Sequence, residues 1–290
     1  MKPRRPVLRY FGGKWKLAPW IISHFPEHRV YIEPFGGAAS VLMQKPRTYA
    51  EIYNDIDGEV VNVFRVLRDP ILAATLQRLL WLTPFARAEF NEVFVPIPED
   101  PVEWARRTIF KSYSGIGSET IFRGARAASG LPTTGFRSAP HQKGRATPAG
   151  EWARYPWEIS IFCARLQGVV IEQRPAIDVI RQYDDKGAFF YVDPPYVREA
   201  CRRRRDHGYR HELTAKDHLE LATVLSSIRG MAIVSGYPSE LYEDIYKEWR
   251  TVEIAAHTGS KYPGHVREIL WLSPNVPARA GDLFPEVPHA

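Results

Sequence analysis

The feature that most constrains the fold of this chain is its alternation of β-prone runs with helix-like segments. Residues 30–32 and 49–53 are β-prone, and residues 38–44 and 60–67 follow them as predicted helices. A β-α-β-α order of this kind predicts a parallel, doubly wound sheet.

The alternation returns in the second half of the chain. It predicts strands at residues 169–172, 188–192, 231–235, 251–255 and 267–271, and helices at 175–182, 215–228 and 239–247. A short connection joins the last two strands, which is typical of an antiparallel pair. The sequence therefore predicts an α/β fold of seven strands, with five βα units closed by a hairpin.

The middle of the chain interrupts this pattern. Residues 84–113 read as helical, whereas residues 114–150 are rich in Gly, Ser, Thr, Pro and Arg and have no acid between Glu119 and Glu151. A long irregular stretch is commonly a binding loop or a disordered segment. We expect a mostly helical insertion after the second βα unit, whose irregular part is ordered by a polyanionic partner.

Composition narrows the class of protein. The formal net charge of +6 favours a polyanionic partner without proving one. Cys163 and Cys201 have neither metal-ligand nor disulfide spacing, which fits a reducing cytoplasm. No apolar run is long enough for a bilayer, and the basic N-terminal stretch lacks the apolar part of a signal peptide. We expect a cytoplasmic monomer with no metal and no membrane contact.

The most informative segment is the apolar run 189–192, which leads directly into Asp193-Pro194-Pro195-Tyr196. Ligands of open α/β sheets bind outside the carboxyl ends of strands, so these four residues lie where chemistry is expected. As an alternative, Asp-Pro-Pro is also an ordinary way to end a strand in a turn.

The residue types of this segment suit methyl transfer to an aromatic amino group. Such a nitrogen is a poor nucleophile because its lone pair is delocalised into the ring. Two hydrogen-bond acceptors, the Asp193 carboxylate and the Pro194 carbonyl, would localise that lone pair. The two prolines stiffen the backbone, and the Tyr196 ring can stack on a base that has been flipped out of duplex DNA.

Two strand ends in the first half suit a nucleoside-containing cofactor. Glu33 and the Gly36-Gly37 turn follow the first strand, and Asn54-Asp55 ends the second. A carboxylate at the second strand end is where Rossmann-type sheets hold ribose hydroxyls. Asp57 is a competitor for that role, although we expect it to cap the next helix. Glu33 taken alone fits a structural role as well as a ligand role.

Other segments admit two interpretations. Gly12-Gly13-Lys14 precedes a predicted helix and can cradle an anion, but it lacks the spacing of a P-loop. The arginine run 202–205 fits a phosphate clamp or a solvated loop equally well. His207 and His211 are spaced four apart without the glutamate of a metalloprotease helix, so loop or DNA contacts are expected there rather than zinc.

In this order, the segments 10–14, 33–37, 54–55 and 193–196 resemble those of the Dam-type, alpha-group adenine-specific DNA methyltransferases. The resemblance extends over nearly the whole chain, through residues 235–237 and 267–271, which look most like the phage and prophage branch. It implies a seven-stranded Rossmann-like catalytic domain that uses S-adenosylmethionine and acts on duplex DNA. It also implies a domain plan of residues 1–82 and 151–290 for catalysis and residues 83–150 for target recognition.

The resemblance assigns roles to individual residues. Catalytic roles fall on Asp193, Pro194, Pro195 and Tyr196. For the cofactor, the resemblance maps Tyr10, Lys14 and Asp55, and Ile177 falls at the Phe position. Together with the other residues of these segments, we expect cofactor contacts at Tyr10, Gly12, Lys14, Glu33, Phe35, Gly36, Asp55, Ile177 and Asp193. We add a set of DNA contacts from the basic residues, namely Arg123, Arg126, Arg137, Lys143, Arg203 and Arg204.

The chain departs from the family pattern in two places. Tyr10 stands where the family usually has Trp, and Ile177 stands in the segment where the family often has Phe beside the adenine of the cofactor. Two rival functions stay open: an amino methyltransferase for cytosine in DNA, for RNA or for protein glutamine, and an inactive DNA-binding protein of the same fold. The sequence also leaves open whether a cognate restriction enzyme is a partner.

Overall fold

The structure is a computed structural model that describes residues 2–94, 98–124, 132–138, 146–196, 210–256 and 266–278. Within those ranges, no helix is both long enough and apolar enough to cross a membrane. The predicted DNA contacts Arg126, Lys143, Arg203 and Arg204 lie outside them, as does much of the stretch expected to be ordered by a partner.

Seven strands form one mixed sheet in the order β3-β2-β1-β4-β5-β7-β6. The strands are β1 (Val30–Glu33), β2 (Ala50–Asn54), β3 (Val169–Glu172), β4 (Ala188–Val192), β5 (Met231–Gly236), β6 (Arg250–Ala256) and β7 (Val266–Leu272). The first five are parallel, and β7 pairs antiparallel with both β5 and β6. The predicted α/β fold with seven strands and a closing antiparallel pair is therefore confirmed.

The helices of the described residues surround this sheet. They are α1 (Ala18–Ser23), α2 (Gly58–Arg68), α3 (Pro70–Leu82), α4 (Arg87–Glu92), α5 (Pro101–Ser114), α6 (Pro148–Arg154), α7 (Ile159–Leu166), α8 (Ala176–Tyr183), α9 (Ala215–Ser227) and α10 (Glu240–Ile245). Asp57 caps α2 by accepting a hydrogen bond from the Glu59 amide, as predicted. Thr214 and Asp217 form a reciprocal capping box at α9.

The helix expected at residues 38–44 was a wrong prediction, because this segment forms turns. Ala39 has a φ of 52°, which lies outside the right-handed helical region and interrupts a helix at its start. The Leu42 amide donates to the Glu33 carboxylate at 3.2 Å, so a buried acid of β1 takes a donor that a helix would use internally. The turn therefore wraps the segment around the end of β1.

The sheet is buried on both faces. On one face α8, α9 and α10 pack through residues such as Ile180, Leu221 and Tyr242. On the other face α1, α2, α3, α5 and α7 share a larger core. All five residues of β4 are buried, which is the pattern of a strand in the middle of a parallel sheet.

The described residues between α3 and α6 pack onto the neighbouring helices. Helix α5 packs against α2 and α3. Phe136 places its ring 5.0 Å from that of Phe85 and 5.5 Å from that of Phe90, and it forms an isolated bridge with Gly115. These contacts anchor residues 132–138 to the helices at 84–114.

Candidate active site

A cavity of about 380 Å³ opens at the carboxyl ends of β1, β2 and β4. The strand order reverses between β1 and β4, and such a switch point is the usual ligand site of an open α/β sheet. The cavity lies within the size range of cofactor sites. Its walls include all nine residues predicted to contact a cofactor: Tyr10, Gly12, Lys14, Glu33, Phe35, Gly36, Asp55, Ile177 and Asp193.

The glycine turn after β1 is shaped by aromatic rings of the protein itself. A Cβ on Gly36 would lie 2.1 Å from a ring carbon of Tyr53, and Gly37 has a φ of 46° with the Tyr10 ring beside it. The ring of Tyr10 also contacts Phe122 edge-on at 5.2 Å. Phe122 belongs to the insertion and lines the cavity, a role for which no sequence signal was found.

Asp55 ties the turn to the end of β2. Its carboxylate accepts from the amides of Gly37 and Asp57, both at 2.8 Å. Burial raises the pKa of Asp55 to about 6, although these two hydrogen bonds pull it down. A carboxylate has about four acceptor sites, so two remain for a ligand at the cavity wall.

Glu33 is a buried acid at the end of β1. It accepts hydrogen bonds from the Tyr31 hydroxyl at 3.1 Å and from the Leu42 amide at 3.2 Å. Burial raises the pKa of Glu33 to about 8 in spite of these bonds, and the charge of Asp193 adds to the rise. Among the described residues no cation forms an ion pair with it. A cationic ligand in the cavity would be stabilised by its ionised form.

The predicted catalytic segment meets the N-terminal motif at Lys14. The Lys14 ammonium lies 2.8 Å from the Asp193 carboxylate, donates to the Gly12 carbonyl at 3.2 Å and also donates to the Tyr196 hydroxyl. Burial alone would lower the pKa of Lys14, but the carboxylates of Asp193 and Glu268 more than offset this and raise it. Lys14 is therefore a cation that touches two catalytic candidates.

The pKa of Asp193 is set by burial and by two charged neighbours. Burial raises its pKa to about 6, the ammonium of Lys14 lowers it, and the charge of Glu268 raises it again. Its side chain is 18% exposed, so it remains accessible from the cavity. Pro195 also lines the cavity, while Pro194 is buried behind it.

Several neighbours of this segment lie in the recognised stretches 235–237 and 267–271, to which sequence reasoning gave no role in the site. Glu268 accepts a hydrogen bond from the Ser235 hydroxyl at 2.6 Å and from the Tyr196 hydroxyl at 3.1 Å. The Tyr237 ring lies 4.4 Å from the Tyr196 ring. The available signal was an acid inside the apolar run 268–272 and polar residues at the end of β5.

The described DNA candidates have acidic partners. Arg137 forms an ion pair with Glu151 at 2.8 Å, and Arg123 approaches Glu119 at 3.9 Å. A DNA phosphate would compete with these carboxylates for the two guanidinium groups.

The residues present fit S-adenosylmethionine, the cofactor that the resemblance implies. The buried Glu33 suits a cationic group of a ligand, and the unused acceptor sites of Asp55 suit hydroxyl groups. Apolar walls from Phe35 and Ile177 complete the cavity. The described residues contain no group of three or more His, Cys, Asp or Glu side chains that would hold a metal ion.

Comparisons with known proteins agree with this geometry. The model of the family described as D12 class N6 adenine-specific DNA methyltransferase matches residues 10–114 and 129–259. A DNA adenine methylase of Vibrio cholerae serotype O1 is 35% identical over 86 residues, which span 29% of this chain and only 30% of that relative.

Two other relatives align over most of their length. A DNA adenine methylase of Salmonella typhi is 25% identical over 262 residues, which is 85% of this chain and 86% of that protein. Type II methyltransferase M.CviBI of Paramecium bursaria Chlorella virus NC1A is 21% identical over 249 residues, which is 83% of this chain and 86% of the viral protein.

Proposed function

The chain belongs to the D12 class of N6 adenine-specific DNA methyltransferases, and on that premise we propose that it methylates the exocyclic N6 amino group of adenine in duplex DNA. S-adenosylmethionine supplies the methyl group, bound to a sulfonium that makes it electrophilic. The observation that carries the proposal is that Asp193 and Pro195, at the end of β4, line the same cavity as the cofactor candidates, and that Lys14 of this wall donates to both Asp193 and Tyr196.

Asp193 and Pro194 prepare the amino group for attack. The Asp193 carboxylate accepts one N–H of the adenine amino group, and the Pro194 carbonyl accepts the other. Both acceptors are fixed before the substrate arrives, which is the condition for effective electrostatic stabilisation of developing positive charge. The nitrogen loses one proton during methylation, and the Asp193 carboxylate is the nearest base for it.

Tyr196 orients the base. Its ring stacks on the adenine, which must leave the duplex to reach the cavity. Lys14 holds the Tyr196 hydroxyl and the Asp193 carboxylate at the same time, so the two groups keep a fixed separation. Groups held in this way would orient the nitrogen toward the methyl group of bound cofactor.

The remaining walls hold the cofactor. Glu33 faces its cationic part, Asp55 accepts its ribose hydroxyls, and Tyr10, Gly12, Lys14 and Gly36 enclose it from the side of the N-terminal motif. Phe35 and Ile177 form the apolar walls. No metal takes part in this scheme.

Residues 83–150 form the target-recognition part, between catalytic parts 1–82 and 151–290. Six basic residues contact the DNA backbone, namely Arg123, Arg126, Arg137, Lys143, Arg203 and Arg204. Replacing any one of them with alanine would weaken binding to all sequences. The slope of log affinity against log salt would fall by about one for each phosphate that is no longer neutralised.

The enzyme works as a cytoplasmic monomer in this proposal, and sedimentation of the protein with and without a DNA duplex tests its oligomeric state. The type II name of the viral relative supports a cognate restriction enzyme as a partner. A nuclease that cuts the host DNA only when its adenines are unmethylated would be that partner.

The proposal is tested with cofactor labelled on its methyl group. DNA duplexes, single-stranded DNA, RNA and a glutamine-containing peptide are each incubated with the enzyme, and the labelled product is identified after hydrolysis. We expect N6-methyladenine from the duplex only. Label on cytosine, RNA or glutamine would overturn the choice of substrate.

A variant links the activity to the site. Asp193→Ala removes one preorganised acceptor and should lower the rate of transfer at least about a hundredfold. DNA binding should stay close to that of the wild type, because Asp193 has no contact with the DNA backbone in this scheme. A rate within a few-fold of the wild type would show that the site lies elsewhere.

A further inference from the structure

Glu268 is a buried acid inside an apolar strand. It lies on β7 and is 2% exposed, and the four residues that follow it on the strand belong to the core. Burial of a carboxylate costs free energy unless hydrogen bonds or opposite charges compensate it. The strand ladder does not require an acid at this position, so the partners of Glu268 explain its presence.

Those partners come from three separate parts of the chain. Ser235 at the end of β5 donates its hydroxyl to Oε1 at 2.6 Å. The Tyr196 hydroxyl donates to Oε1 at 3.1 Å and lies 3.4 Å from Oε2. The Lys14 ammonium lies 3.5 Å from Oε1. One carboxylate thus joins the closing strand, the catalytic segment and the N-terminal motif.

We infer that Glu268 is a positioning residue for methyl transfer, whose carboxylate holds Tyr196 and Lys14 in place against Asp193. The inference rests on the proposed function, since it assigns Glu268 a part in that same reaction. It adds a residue that the sequence motifs did not mark as functional.

Tyr196 is held at both ends of its side chain. Its hydroxyl is fixed by Glu268 and Lys14, and its ring lies 4.4 Å from the ring of Tyr237. A ring restrained in this way keeps one orientation before the base arrives. Without the Glu268 carboxylate, the hydroxyl is held by fewer groups, and the ring gains freedom to turn.

Glu268 also shares the Lys14 ammonium with Asp193. One buried ammonium faces two carboxylates, at 2.8 Å for Asp193 and 3.5 Å for Glu268. If Glu268 became neutral, Asp193 would be the one carboxylate still paired with Lys14 among the described residues. The Asp193 oxygen would then be a weaker acceptor for the amino group, because the ammonium would hold it more strongly.

The same change affects the ionisation of Asp193. Burial raises the pKa of Asp193 to about 6, and the negative charge of Glu268 contributes to the rise while Lys14 opposes it. Among the described residues, Glu33, Tyr191 and Tyr242 also interact electrostatically with Asp193. Removing the charge of Glu268 should therefore lower the pKa of Asp193 and extend its ionised form to lower pH.

The test compares Glu268→Gln with the wild-type enzyme on duplex DNA. We expect kcat to fall about 10- to 100-fold, since a small misplacement of reacting groups has effects of this size. The KM for the cofactor should stay within a few-fold. The acid limb of the kcat profile should move to lower pH, which a general loosening of the fold would not produce.

Two further variants separate this role from simple stability. Glu253→Gln is the matched control, because Glu253 forms an exposed ion pair with Arg267 on the neighbouring strand, outside the cavity. It should match the wild type in rate and pH profile. Tyr196→Phe combined with Glu268→Gln should lose much less than the product of the two single effects, because both act through one contact.

The outcomes are distinct from those that test the proposed function. If the wild type methylates adenine and Glu268→Gln retains both its kcat and its acid limb, the positioning role is excluded. If the wild type transfers no methyl group, the proposed function itself fails. Should Glu268→Gln not fold, Ser235→Ala removes only one donor to the carboxylate and must still lower kcat at constant cofactor affinity for the inference to stand.

Discussion

Two buried glutamates on adjacent strands have opposite surroundings. Glu51 on β2 receives the Lys45 ammonium at 2.6 Å and the Arg165 guanidinium at 2.6 and 2.9 Å. Glu33 on β1 receives only the Tyr31 hydroxyl and the Leu42 amide among the described groups. In register, Glu51 is opposite Tyr31, so the two acids lie on the same face of the sheet.

The pKa values of the two glutamates reflect these partners. Burial would raise the pKa of Glu51, but hydrogen bonds from Arg165 and Lys45 outweigh it and lower the pKa. Burial raises the pKa of Glu33 to about 8, because the hydrogen bonds from Tyr31 and Leu42 and the charge of Lys45 offset it only in part. Glu51 is fully paired with cations of the protein and has a structural role. Glu33 forms no ion pair among the described residues, so its ionised form would be stabilised by a cationic ligand. Perturbed acids in a cavity are candidates for ligand binding for this reason.

The largest expected effect is on the free energy of unfolding, when Glu51 is replaced. Glu51→Gln leaves the charges of Lys45 and Arg165 buried without their anion, and breaking such a pair costs about 3–5 kcal/mol. We expect the free energy of unfolding at pH 7, measured with urea, to fall by that amount. Cofactor affinity of the folded fraction should not change.

Glu253→Gln gives the reference for this measurement. Its ion pair with Arg267 is exposed, and exposed pairs contribute about 0–1 kcal/mol. Equal destabilisation by both variants would mean that the cluster of Glu51 is not the stabilising contact described here. The wild-type contribution of Glu51 should be present above its unfolded pKa of 4.5 and be lost as the pH falls through its lower folded value.

The second effect is on the ligand side. Glu33→Gln removes the acid that would face the cationic part of the cofactor, and a hydrogen bond to a charged group contributes about 1.5–3 kcal/mol. We expect calorimetry to show cofactor affinity reduced about tenfold or more, with unfolding in urea at pH 7 no easier than for the wild type. Unchanged affinity would make Glu33 a structural acid like Glu51.

The third effect follows from the protonation of Glu33. With a pKa of about 8, Glu33 is mostly protonated at pH 7, and a cationic ligand favours the ionised form. Cofactor affinity should therefore rise severalfold between pH 7 and 8.5, with release of a proton on binding. The groups around Glu33 are Tyr31, Lys45 and Asp193. Loss of this rise in Glu33→Gln would assign it to Glu33, and an identical rise in both proteins would assign it to another group.

Much of the fold was predictable because its elements carry local signals. Strands β3 and β4 have the predicted bounds, since short apolar runs in a parallel sheet are bounded by turn residues. The segment 38–44 was not predictable, because a long-range hydrogen bond from the Leu42 amide to Glu33 replaces a helical one. Helix propensity depends on local sequence and carries no information about a hydrogen bond to a distant residue.

The candidate site shows the same division. Segments 10–14, 33–37, 54–55 and 193–196 were found because each is a short motif at a strand end. Phe122 carries no motif of its own, and Glu268 lies in a segment of the resemblance that gave it no role, since each enters the site from far along the chain. Local motifs reveal the parts of such a site more readily than the contacts between them.

A third cluster combines features of the two glutamates. Arg210 donates to Asp57 at 2.8 Å and to Glu59 at 2.6 Å, and Glu59 also receives Lys111 of the insertion helix α5 at 3.2 Å. Its charges are paired, as around Glu51, yet Arg210 and Asp57 line the cofactor cavity, as Glu33 does. The Arg210 side chain is 38% exposed, so solvent screens its ion pairs.

The smallest expected effect is that of Arg210→Ala. Exposed ion pairs contribute little, so the free energy of unfolding should fall by no more than about 1 kcal/mol, and by less at high salt. Cofactor affinity should fall only about two- to threefold, because the Arg210 guanidinium is already paired with Asp57 and Glu59 and solvent screens its charge. Arg229→Ala is the control, since Arg229 forms exposed contacts with Asp184 and Asp185 away from the cavity. If Arg210→Ala instead matched Glu51→Gln in stability or Glu33→Gln in affinity, this cluster would belong to one of the two extremes.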